Sequence, residues 1–225
     1  MWLSNSSVGR KVVMSVTGIA LILFLTFHCA MNIVALISYE GYNWICEMLG
    51  ANWYAVVATM ALAALFVIHL IYAFWLTLQN RKARGSERYA VTAKPETVEW
   101  ASQNMLVLGI IVILGLALHL INFWSKMMLP ELMHTEDLQV MSYATNGVYH
   151  IQQTFGNVIY VVLYLIWLAA LWFHLTHGFW SAMQTLGWNN RIWLNRWKCI
   201  GNWYTTIVVA CFAVVVIVFY VKSLM

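Results

Sequence analysis

Charge is the scarcest property of this 225-residue chain: Asp, Glu, Lys and Arg together make up 9% of it. A water-soluble domain of this length covers itself with far more charge, so an ordinary soluble globule is excluded. Proline is almost absent, at Pro95 and Pro130 only, and both fall in expected connections, where they break no helix. The four cysteines, Cys29, Cys46, Cys199 and Cys211, lie in no C-x-x-C-H motif, which excludes a thioether-bound prosthetic group, and no pair of them suggests a disulfide. The apolar stretches lack the alternation of a transmembrane strand, which excludes a barrel. They also lack buried carboxylates, and the chain shows no internal repeat and no low-complexity tract.

What is present is apolar surface. Hydrophobic residues make up 63% of the chain and fall in long blocks. Crossing a hydrocarbon core of about 30 Å takes roughly 20 helical residues, and these blocks are long enough. The pattern predicts an all-α integral membrane bundle, one domain over residues 1–225, with five transmembrane helices at about 12–38, 53–79, 102–125, 155–185 and 203–222. Arg10 and Lys11 followed by an apolar run imitate a signal peptide. That run continues past His28 to about Ile37, too long for one, and reads as the first permanent helix.

Basic residues set the expected orientation. Ten of the twelve lysines and arginines fall before the first helix or in the second and fourth connections, among them Arg81, Lys82, Arg84, Arg88, Lys94, Arg191, Arg196 and Lys198. The opposite side has Lys126 and Lys222, with Glu40, Glu47, Glu131, Glu136 and Asp137. The positive-inside rule then puts the N-terminus in the cytoplasm and the C-terminus outside, in a cell inner membrane. Tryptophans and tyrosines near the boundaries, such as Trp53, Trp100, Trp188 and Trp203, form an interfacial belt. The net charge of +4 is no signal for nucleic acid.

Histidines carry the chemistry. Four of the five helices hold one well inside the apolar region: His28, His69, His119, and His174 with His177. An ionisable group in lipid needs a partner, a cavity or a cofactor. His28 lies about 17 residues beyond Lys11, so at the helical rise it sits roughly 25 Å from the inner surface. The same reckoning places His119 beside it near the outer leaflet. It places His69 and His177, or His174, together near the inner leaflet. Each couple lies on helices that run in the same direction. Two imidazoles at one depth are the axial ligand set of a six-coordinate b-type haem, whose flat apolar macrocycle fits between helices. Zinc and di-iron sites fit worse, because no carboxylate joins them and each layer has only two imidazoles. His174 and His177 point in neighbouring but different directions. Gly178 beside His177 would leave room for a macrocycle, which favours His177. His134 and His150 fall in the outer connection and read as solvated loop residues.

The opening R-K-x-x-M-S-V-T-G from Arg10 to Gly18, the segment F-H-C-A-M-N from Phe27 to Asn32, one histidine in each of helices two and three, and H-G at His177–Gly178 together carry a resemblance. The chain resembles, over nearly its whole length, the five-helix, di-haem cytochrome b membrane anchor of succinate dehydrogenases and quinol:fumarate reductases. The resemblance implies two haem b groups, the outer on His28 and His119 and the inner on His69 and His177. It implies a flavoprotein and an iron–sulfur subunit docked on the cytoplasmic face, and a quinone site, menaquinone in this type, near the outer haem. By family position Ser15 would meet an inner-haem propionate, and Arg191 or Lys198 would offset propionate charge. Glu47, at the outer entrance to helix two, is the candidate acceptor for quinol protons. Some members carry a buried glutamate two residues before the helix-four ligand. This chain has Leu175 there, which puts a glutamate-based proton route in doubt.

In that reading, electrons pass between quinone and partner subunits in two short hops across the bilayer. Succinate or fumarate chemistry lies outside this chain, and helix five packs the bundle or meets another copy in a dimer of complexes. Two other readings stay open. A haem b subunit of another membrane complex, such as a formate dehydrogenase or hydrogenase, shares the electron carrier but has other partners. A small histidine-containing transporter, a channel or a plain structural anchor would be colourless.

Overall fold

The computed structural model describes residues 6–50, 52–84, 99–133 and 137–225. His134, Glu136, Arg88, Lys94 and Pro95 lie outside the described residues. Five helices are long and apolar enough to cross a membrane: Ser7–Ile37, Trp53–Lys82, Met105–Leu132, Val158–Thr185 and Trp193–Ser223. No strand occurs among the described residues. The protein is an all-α membrane bundle.

Helix α1 (Ser7–Ile37) starts at Ser6, whose hydroxyl accepts from the Gly9 N–H at 2.9 Å. It ends at Ser38, and α2 (Tyr39–Gly50) fills the first connection. The second span is α3 (Trp53–Arg84). A short turn, α4 (Trp100–Gln103), leads into α5 (Met105–His119). Directly after His119 the helix widens into a π turn, Leu120–Trp124, before α6 (Ser125–Leu132) completes the third span. The connection to the fourth span holds α7 (Leu138–Ala144), capped by Asp137, and α8 (Gly147–Phe155), capped by Asn146, which packs into the bundle. Helix α9 (Val158–Thr185) is capped by Asn157 and stops where Gly187 takes φ +81° and the Trp188 N–H turns back to the Met183 carbonyl. Helix α10 (Trp193–Ser223) starts with the backbone N–H groups of Ile192 and Trp193 on the Asn190 side chain.

Several expectations are corrected. Pro130 lies inside α6 and not in a connection. Its ring forfeits one backbone bond close to the helix end, and the chain runs only two residues further in helix. The fourth span starts at Val158, three residues after the expected 155, and Gly156–Asn157 separates it from α8. The last span begins at Trp193, ten residues before the apolar run at Trp203, because its tryptophans extend the helix into the interface. His150 is not a solvated loop residue: it is buried on α8, with Nε2 2.9 Å from the Tyr143 carbonyl. Burial holds its pKa below the ordinary value.

The packing is uneven. Helix α9 is the hub and lies against α10, α1 and α5, and α10 also packs on α1. Ile151, Phe155, Tyr164, Leu168, Val215 and Phe219 form the buried centre. Helix α3 is the outlier. It rests on α1, touches α2 at its start, and has no substantial packing on α5 or α9. Nor does α1 pack substantially on α5.

Candidate histidine sites

The helices that share a histidine layer are thus the ones that do not pack on each other. His28 on α1 faces His119 on α5, and His69 on α3 belongs to the layer of His174 and His177 on α9. Inner below means the end of the bundle nearer Ser6. All five rings are half-buried.

At the outer site the His28 and His119 rings have centroids 5.7 Å apart at 84°. Metal–imidazole bonds run about 2 Å, so two rings on one ion have centres roughly 6 Å apart. The observed spacing fits one iron between them. The surroundings are aromatic: Phe24 stacks on His28 at 5.6 Å, and Phe123 and Trp167 lie 5.1 and 5.8 Å from His119. No protein group hydrogen-bonds His119 among the described residues. His28 is met by Asn32, one turn on, whose Nδ2 donates to the His28 carbonyl at 2.8 Å and stands 3.4 Å from Nε2. Tyr42 donates to Asn32 Oδ1 at 3.4 Å. The π turn brings Asn122 into the interior, where it donates to the Tyr164 hydroxyl at 3.3 Å.

At the inner site His69 Nδ1 lies 3.1 Å from Thr17 Oγ1 on α1. The expected partner was His177. The structure turns His177 towards Glu99, with Nδ1 3.8 Å from Oε2, and sets its ring edge-on to Trp180 at 4.9 Å. His174 and His177 each have Nδ1 buried without a hydrogen-bond partner among the described residues, and His174 has no charged side chain turned to it as Glu99 is to His177. Glu99 closes the inner end. It accepts from Lys198 Nζ at 2.7 Å and from Trp180 Nε1 at 3.2 Å. Burial alone would lift its carboxyl, but the Lys198 ammonium and the Trp180 N–H hold it below the ordinary carboxylate range.

The remaining expected residues are scattered. Ser15 is buried on α1, two residues before Thr17. Arg191 is exposed in the turn before α10, and Lys198 is committed to Glu99. Glu47 is exposed on α2 and takes part in no hydrogen bond or ion pair among the described residues. The acid that does turn inward at the outer end is Glu131, whose Oε2 is buried against Gly50 without a hydrogen-bond partner among the described residues. Thr17, Asn32, Glu99 and Glu131 were not singled out from the sequence. Thr17 and Asn32 do stand in the two segments that carry the resemblance.

The donor set fits haem b. The outer layer offers two imidazoles and the inner three, on helices without substantial mutual packing, and no three His, Cys, Asp or Glu side chains converge among the described residues. Such a convergence is what a zinc or di-iron site needs. No family model, no curated protein and no solved structure matches the chain.

Proposed function

We propose that this chain is a di-haem cytochrome b membrane subunit that passes electrons between a membrane quinone and partner subunits on the inner side. One observation carries the reading. The His28 and His119 rings lie 5.7 Å apart on helices that do not pack on each other, and His69 on α3 and His174 on α9 likewise stand on helices without substantial mutual packing. A flat apolar group held between helices suits such a couple of imidazoles.

Haem b, when bound, supplies a one-electron carrier in each layer. The chain's own residues do the rest. His28 and His119 hold the outer group, His69 and His174 the inner, with His177 the other candidate for the last position. Phe24, Phe123 and Trp167 exclude water from the outer site and keep its dielectric low. Lys198 and Glu99 tie α4 to α9 and α10 at the inner end. Glu131 is better placed than Glu47 to hold a proton from quinol, since one carboxylate oxygen is buried and unpartnered. The resemblance to succinate dehydrogenase and fumarate reductase anchors supports a flavoprotein and an iron–sulfur protein as partners, menaquinone as the quinone, and a cytoplasmic N-terminus. A formate dehydrogenase or hydrogenase haem subunit is the neighbouring reading.

A reduced-minus-oxidised spectrum with a pyridine haemochromogen assay tests this. About two protohaems per chain are expected, falling to about one in His28→Ala and His119→Ala. A colourless protein would overturn the reading. Copurification of a flavoprotein active on succinate separates the proposed complex from its neighbours.

A further inference from the structure

We infer that Thr17 is a positioning residue for the inner site, fixing His69 with its proton on Nδ1 and its lone pair on Nε2. The inference deepens the haem reading above and rests on it for its consequence, though not for its geometry.

Thr17 is 4% exposed and has one hydroxyl proton to place. Its Oγ1 lies 2.9 Å from the Val13 carbonyl and 3.1 Å from the Met14 carbonyl. Both are pure acceptors, so the proton goes to the backbone of α1. The same oxygen stands 3.1 Å from His69 Nδ1 with only lone pairs left to offer. Nδ1 must therefore be the donor. The alternative tautomer would need Thr17 to leave both carbonyls. The neighbouring glycine helps. A Cβ at Gly18 would stand 3.4 Å from His69 Cε1, so the ring edge lies close over the α1 backbone at Thr17–Gly18.

The consequence is a prepared ligand. Neutral imidazole with Nδ1–H presents its lone pair at Nε2, and a hydrogen bond from the other nitrogen fixes the ring's orientation and raises ligand basicity. A more basic ligand favours the oxidised metal. Thr17 thus links α1, which supplies an outer ligand, to the ligand of the inner site on α3.

The test uses the full chain, with histidines labelled in nitrogen-15 and the His69 signal assigned by its absence in His69→Gln. In wild type and Thr17→Ser the Nδ1 proton of His69 is expected downfield, as a hydrogen-bonded proton. In Thr17→Val, which keeps the shape, it moves upfield or is lost to exchange. This readout stands whether or not haem is bound. A redox titration then reads the consequence: the inner-haem potential rises in Thr17→Val, returns in Thr17→Ser, and the outer-haem potential stays constant. An unchanged His69 signal in Thr17→Val, or a wild-type ring protonated on Nε2, overturns the inference. Absence of haem with a shifting His69 signal would sink the parent reading and leave Thr17 in its place.

Discussion

The indole of Trp167 lies on the backbone of Gly115 with no room for a methyl group between them. Its Nε1–H reaches across to the Val112 carbonyl at 3.1 Å, which locks α9 onto α5 one turn before His119. Close approach of this kind needs glycine, since any Cβ there would penetrate the ring.

Gly115→Ala should therefore destabilise the bundle by about 1–3 kcal/mol, the range for overpacking a tight contact. In the proposed function His119 is the ligand nearest the disturbance, so the outer haem should be lost first. Thermal melting in detergent and haem content per chain measure both effects. Adding Trp167→Ala should recover part of the loss, because the two positions are in direct contact and their effects are not additive. Equal melting of wild type and Gly115→Ala would contradict the contact.

His174 and His177 can be separated by replacing each with alanine. His174→Ala should reduce the haem count from about two to about one and remove the inner-haem signal. His177→Ala should keep both haems, because its ring is turned to Glu99 and Trp180. The opposite outcome would reinstate His177 as the ligand and leave the two-layer architecture standing.

Glu99 should make the inner end acid-sensitive. Its carboxyl titrates lower in the folded chain than in the unfolded one, so the folded state binds fewer protons. The stabilisation is complete above the ordinary glutamate value of about 4.3 and fades as pH falls through the lowered one. The melting midpoint of wild type should therefore drop in that acid window. Glu99→Gln should start lower at neutral pH and lack that part of the drop. Parallel profiles for the two proteins would show that the Lys198 pair contributes nothing.

The five spans were legible because lipid imposes a length and leaves little choice of composition, and the layering of the histidines followed from rise per residue alone. Helix ends were harder to read. The run from Trp193 to Trp203 mixes tryptophan with Arg196 and Lys198, and such a segment ends or extends a helix according to what covers it. The π turn after His119 is set by one displaced backbone bond, which leaves no trace in hydropathy. The choice between His174 and His177 depends on how α9 is rotated about its axis, and three residues on a helix differ by about 60° in direction. Thr17 was hidden for a different reason. A threonine in an apolar helix usually bonds back to its own helix, as this one does, and only the position of α3 shows that its oxygen has a second duty.

The lone seat of α3 on α1 bears on how such a protein is made. A span that rests on one other span has few contacts to give up, so α3 is the helix that can part from the bundle at least cost. If the proposed function holds, cells starved of haem should accordingly accumulate a chain whose second span is loosened, and membrane proteases should clear that form first.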